Sequence, residues 1–255
     1  MRIIRIFLVL ILLLGASGMA ALYVAPVPVT HFLLDMERSV SGLERKQVRL
    51  DDGTEYVFLE GGSGEPLVLL HGFGADKDHF TRVSRHFTDR YRVIIPDHMG
   101  FGESSRPLPA DYTAPAQAQR LHELLQKLDV TTLHMGGNSM GAHIAVTFAY
   151  QYPDVVKSLW LLDSGGLWSA PGNDFMAQVQ ASGRNPLLAR STEEFARVAE
   201  YVMSDPPFVP RPMLDVIAQD RIRNHDLEQE IFRQVSSDSL EPRAAAVRVP
   251  TLIVW

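Results

Sequence analysis

An α/β fold, a mostly parallel sheet flanked by helices and carrying a helical insertion, is predicted by three features of this 255-residue sequence. Short apolar runs bounded by turn residues recur along the chain, helical stripes separate them, and between Gly166 and Arg243 only helical patterns remain. Short continuous apolar runs alternating with helices mark buried parallel strands, and βαβ units place helices on both faces of their sheet.

Residues 6–30 carry no charge, and Arg2 and Arg5 precede them. A spanning helix needs about 20 apolar residues. Residues 1–25 are therefore expected to form a transmembrane anchor, with a cleavable signal peptide as the rival reading. The Arg pair favours a cytoplasmic N-terminus, which puts the rest of the chain on the non-cytoplasmic side, periplasmic or extracellular. Over 26–44, Phe32, Met36, Val40 and Leu43 recur at helical spacing among Asp35, Glu37 and Arg38. This reads as a juxtamembrane amphipathic helix that lies on lipid or pairs two copies into a homodimer; the plainer reading is a helix packed on its own domain.

The first part of the core is expected over 45–166. Runs at 47–50 and 56–59, joined by Asp51-Asp52-Gly53, read as a hairpin. Runs at 67–70, 93–95, 133–135 and 159–162 read as buried parallel strands. Phe80, Val83 and Phe87 form one helical stripe; Leu121, Leu124, Leu125 and Leu128 form another, with Pro115 in its first turn. Within the insertion, 167–243, Ser191-Thr192-Glu193-Glu194 has the form of a capping box ahead of Phe195, Val198 and Val202. Asp205-Pro206-Pro207 ends that helix, and 213–217 and 227–235 continue the helical pattern. The insertion is expected to be a lid over an active site, the alternative being a decorative subdomain. The run at 252–254 opens a second part of the core, 244–255.

A hydrophobic content of 46% supports a large core, and 24 Lys and Arg against 30 Asp and Glu give no reason to expect a nucleic-acid partner. The chain has no Cys, which excludes disulfides, thiol nucleophiles and Cys-ligated zinc. His79 and His86 stand seven apart without further ligand spacing, so no metal is expected. No phosphate-cradling loop or dinucleotide fingerprint is present, and no cofactor is expected.

Gly137-Asn138-Ser139-Met140-Gly141 sits between a strand and a helical pattern, the context of a nucleophile elbow. Such an elbow strains its central residue, and Gly137 and Gly141 remove the side chains that would clash. Ser139 is then the candidate nucleophile. His71-Gly72-Phe73-Gly74 follows the run 67–70, where an acyl-transfer enzyme of this layout needs its oxyanion hole. The backbone N–H groups of Phe73 and Met140 are the candidate donors, and His71 reads as a structural hydrogen-bonding residue of the turn. A third motif, Asp97-His98-Met99-Gly100-Phe101-Gly102-Glu103-Ser104, closes the run 93–95. His134 and His143 flank the elbow and read as core or surface residues.

These three motifs, in this order, resemble the α/β-hydrolase superfamily over 43–255. Within it the chain is similar to bacterial membrane-anchored lipases and phospholipases and to monoacylglycerol lipases. The resemblance implies a serine hydrolase that cleaves carboxylic esters of acyl lipids through an acyl-enzyme, with Asp97 as a structural turn residue. A C–C bond hydrolase of the same fold and a non-catalytic, membrane-tethered binding protein are the alternatives. In the superfamily the acid and then the His follow the nucleophile, late in the chain. Here the last His is His225, inside the insertion, and the sequence ends Pro250-Thr251-Leu252-Ile253-Val254-Trp255. The expectation is a C-terminally truncated chain with an incomplete sheet, nearly inert because its acid and base lie beyond residue 255. Asp163, just after the run 159–162, is the alternative acid.

Overall fold

The computed structural model describes residues 17–170 and 174–255, together with Ile4 and Gly15. Helix α1 (Pro26–Val40) leads into strands β1 (Leu43–Arg49), β2 (Glu55–Gly61) and β3 (Glu65–Leu70). A 3₁₀ turn (Lys77–Phe80) and the one-turn helix α2 (Thr81–Ser84) precede β4 (Tyr91–Pro96). Helix α3 (Ala114–Lys127), β5 (Leu133–Asn138), α4 (Met140–Gln151) and β6 (Val156–Leu162) follow. Five helices, α5 (Phe175–Ser182), α6 (Thr192–Val202), α7 (Arg211–Arg223), α8 (His225–Ser236) and α9 (Glu241–Ala246), separate β6 from β7 (Thr251–Val254).

The strands form one sheet in the order β1-β2-β4-β3-β5-β6-β7. The β1–β2 and β2–β4 pairs are antiparallel, and β4, β3, β5, β6 and β7 run parallel. Each apolar run of the sequence forms a strand, with bounds shifted by a few residues. Side chains alternate across a strand. Val68 and Leu70 accordingly pack with Ile94 and Met135 on one face, while Leu67 and Leu69 pack with Val93 and Ile95 on the other. Helices α3 and α4 cover the first face through Leu121, Leu124, Ile144 and Phe148. Phe80, Val83 and Phe87 cover the second, although the stripe they form folds as a 3₁₀ turn, a single helical turn and further hydrogen-bonded turns rather than one helix.

The helices between β6 and β7 form a cap. Ser191 caps α6, its hydroxyl accepting from the Glu194 N–H at 3.2 Å. The Glu194 carboxylate accepts from the Arg190 N–H at 2.7 Å, one residue outside the expected reciprocal bond. Both ends of the cap are joined: Leu240 N–H donates to the Gly166 carbonyl at 2.9 Å, and Trp168 Nε1 donates to the Asp238 carbonyl at 2.8 Å.

The expectation of a single-pass membrane protein with its catalytic domain on the non-cytoplasmic side is corrected here. No helix among the described residues is long and apolar enough to cross a membrane. Much of the apolar run, residues 5–14 and 16, lies outside the described residues. The described helical stretch at 17–24 ends at Ala25, whose φ of −137° and ψ of 64° are not helical. The amphipathic helix expected over 26–44 forms as α1. Its charged residues turn towards its own chain: Arg38 Nε donates to Asp78 Oδ1 at 2.7 Å, and Glu37 pairs with Arg82. Phe32, Met36 and Val40 remain exposed.

Candidate active site

Strand β5 ends at Asn138, α4 begins at Met140, and Ser139 makes the turn between them with φ +52° and ψ −114°. This left-handed conformation is strained for a residue with a side chain, and it sets the hydroxyl apart from both elements. The helix lies hard against the end of β3. A Cβ on Gly141 would come within 2.1 Å of the Leu70 carbonyl oxygen, so no larger residue allows that approach. The close packing brings the His71-Gly72-Phe73-Gly74 turn alongside the elbow, with Gly72 facing the Asn138 side chain and the Ser139 Cβ. Gly137, the first glycine of the elbow motif, is buried in β5.

The N–H groups of Phe73 and Met140 donate to no described residue. Both residues line the same cavity as Ser139, about 580 Å³ in volume. Its walls are mostly apolar, drawn from the cap (Trp168, Phe175, Leu187, Phe232, Val235) as well as from the core. The Phe73 ring is boxed edge-on between Phe101 at 5.5 Å and Phe232 at 5.6 Å. Two unclaimed donors beside a hydroxyl in an apolar cavity can stabilise negative charge that develops on a carbonyl oxygen held there.

His71 is fully buried and both ring nitrogens are engaged: Nδ1–H donates to the Gly72 carbonyl at 2.8 Å, and Nε2 accepts from the His98 N–H at 3.1 Å. Burial, and then the neighbouring His98, push its pKa well below the ordinary histidine value, so the ring stays neutral and orders the turn. Asp97 accepts from the Lys77 N–H at 2.6 Å and the Glu103 N–H at 2.7 Å, and its Oδ2 also meets the Lys77 ammonium. It ties the segment after β3 to the loop after β4.

Asp163 follows β6 with φ +45°, and its N–H donates to the Val254 carbonyl at 2.9 Å. Its exposed carboxylate takes no hydrogen bond from a described histidine. His143, one turn after Ser139, is fully buried against the cavity and engages Asp238 at 3.1 Å through Nε2, with Arg243 on the same carboxylate at 2.6 Å. Burial pushes the Asp238 carboxyl up, but its bonds to His143 and Arg243 outweigh this and hold it below the ordinary value. His134 lies away from the site, bonded to Ser158 and Glu65. Among the described residues no imidazole hydrogen-bonds the Ser139 hydroxyl. Sequence reading missed the His143–Asp238–Arg243 cluster and the buried Arg221–Glu228 pair, because their partners meet only once the cap folds back.

A family model described as the alpha/beta hydrolase fold matches residues 65–255. Lipase 1 of Psychrobacter immobilis is 46% identical over 235 residues, 90% of this chain and 74% of that protein. Lipase 3 of Moraxella sp. (strain TA144) is 43% identical over 262 residues, 96% of this chain and 82% of that protein. Among solved structures, a membrane phospholipase A described as a bacterial virulence factor superposes with a TM-score of 0.87 at 35% identity, covering 98% of this chain and 82% of that one.

Proposed function

The chain belongs to the alpha/beta hydrolase fold family, and on that footing we propose that it hydrolyses carboxylic esters of acyl lipids through an acyl-enzyme on Ser139. One observation carries this reading: Ser139 lines an apolar cavity together with Phe73 and Met140, whose backbone N–H groups are unclaimed among the described residues. The ester carbonyl is attacked by the Ser139 oxygen, and the tetrahedral oxyanion is held by the Phe73 and Met140 N–H groups. The alcohol departs, leaving the acyl group on Ser139 and its chain against Phe175 and Phe232, and water then releases the fatty acid. A base is needed to take the serine proton. His71 is unsuited to that role, because both of its nitrogens are already bonded. The lipases and the phospholipase among the relatives support an acyl-ester substrate, and the cap, walling the cavity, acts as its lid.

A fluorophosphonate probe tests the reading. With an acid and a histidine base supplied to Ser139, the protein is expected to take one label, lost in Ser139→Ala, and to hydrolyse monoacylglycerol emulsions. Labelling that survives Ser139→Ala, or a vinylogous diketone cleaved in preference to esters, would overturn it.

A further inference from the structure

Arg221 of α7 reaches from the cap onto the turn that carries the Phe73 N–H. A Cβ placed on Gly74 would lie 2.2 Å from Arg221 Cζ and 2.4 Å from both Nη1 and Nη2. Near-equal distances to three atoms of a planar group mean that the guanidinium lies face-on to the Gly74 backbone. Its Cζ stands 5.9 Å from the centre of the Phe73 ring. Arg221 is itself fixed: Nε donates to Glu228 Oε1 at 2.6 Å and Oε2 at 2.8 Å, and Nη2 donates to the Leu187 carbonyl at 2.5 Å. Glu228 is buried on α8, and one turn later Phe232 meets the Phe73 ring. The neighbouring Asp220 is held by Arg106, whose same nitrogen donates to the Gly102 carbonyl.

A buried ion pair is weak evidence for stability, since apolar residues of similar volume often serve as well. An apolar pair offers no planar cation to lie against a glycine backbone and an aromatic ring. We propose that Arg221, held by Glu228, is a positioning residue: it seats the Phe73-Gly74 turn so that the Phe73 N–H meets the oxyanion. Cap and oxyanion hole are thereby one mechanical unit. The proposal rests on the ester-hydrolase reading above.

The decisive variant is Arg221→Met with Glu228→Leu, which removes both charges and keeps the volume. It is expected to melt near the wild-type temperature while kcat falls about tenfold to a hundredfold and KM changes less than about threefold. Affinity for octylboronic acid, whose adduct on serine mimics the tetrahedral intermediate, should fall in step with kcat. Arg221→Lys keeps the charge but loses the plane, and its kcat should fall as well. Wild-type kcat in the stable double variant overturns the proposal, and so does wild-type kcat in Arg221→Lys should the double variant fail to fold. A wild-type protein in which Ser139 takes no fluorophosphonate overturns the ester-hydrolase reading and this one together; normal labelling with unaffected variants overturns this one alone.

Discussion

Glu103 joins three segments that are distant in sequence. Its carboxylate meets the Lys77 ammonium at 2.7 Å and the Arg45 guanidinium at 2.6 Å, while its N–H donates to Asp97. Burial pushes the carboxyl up, but the Arg45 and Lys77 bonds together outweigh it and hold the pKa at about 2 against an ordinary 4.5. A depressed carboxyl contributes its stability above the unfolded value and loses it as pH falls through the folded one. Urea midpoints should therefore separate wild type from Glu103→Gln fully above about pH 5, and the two curves should converge towards pH 2. A separation that persists at pH 2 would place the contribution elsewhere. At this scale, legibility followed chemistry that is local in sequence. Ser139, Phe73 and His71 stand in short motifs whose geometry is set within a few residues. For Arg221 and Glu228, nothing in the sequence neighbourhood announces a partner that arrives from another element.

The strands were the most legible elements, for a physical reason: a strand buried on both faces must be apolar at consecutive positions, and β3 is. Leu69 is fully buried in the face formed with Leu67, Val93 and Ile95, and its side chain also lies under Gly136 of β5. Leu69→Ala should lower the unfolding free energy by about 2–5 kcal/mol, read from denaturant midpoints at unchanged slope. A loss below 1 kcal/mol would mean that the neighbouring strands close over the gap. Helices were less legible where tertiary packing set their length. The stripe Phe80, Val83 and Phe87 is satisfied by turns that bring the two rings and the Val83 methyls to the sheet, so regular helix stops at Ser84. Hydropathy, with two arginines before the apolar run, supported the spanning helix, and no helix among the described residues has the length and apolarity that a span requires.

At the scale of the molecule, the cavity exists because the cap is tied to the core at both of its ends. Leu240 and Trp168 join the ends, His143 on α4 holds Asp238, and Tyr112 N–H donates to Gln234 of α8 at 2.7 Å. The far wall is aromatic: Phe175 stands 6.0 Å from Phe232 and 6.5 Å from Tyr201 between ring centres. An acyl chain lengthened from butyrate to octanoate would bury four more methylenes against that wall. At about 0.8 kcal/mol each, this amounts to roughly 3 kcal/mol, or about two orders of magnitude in kcat/KM if the wall is engaged in the transition state. Phe175→Ala withdraws the wall where the longer chain ends. The ratio of kcat/KM for octanoate over butyrate esters should then fall by about tenfold, with the loss confined to the longer substrate. An unchanged ratio would show that the acyl chain leaves Ser139 by another route, and that the cap covers the cavity without measuring what enters it.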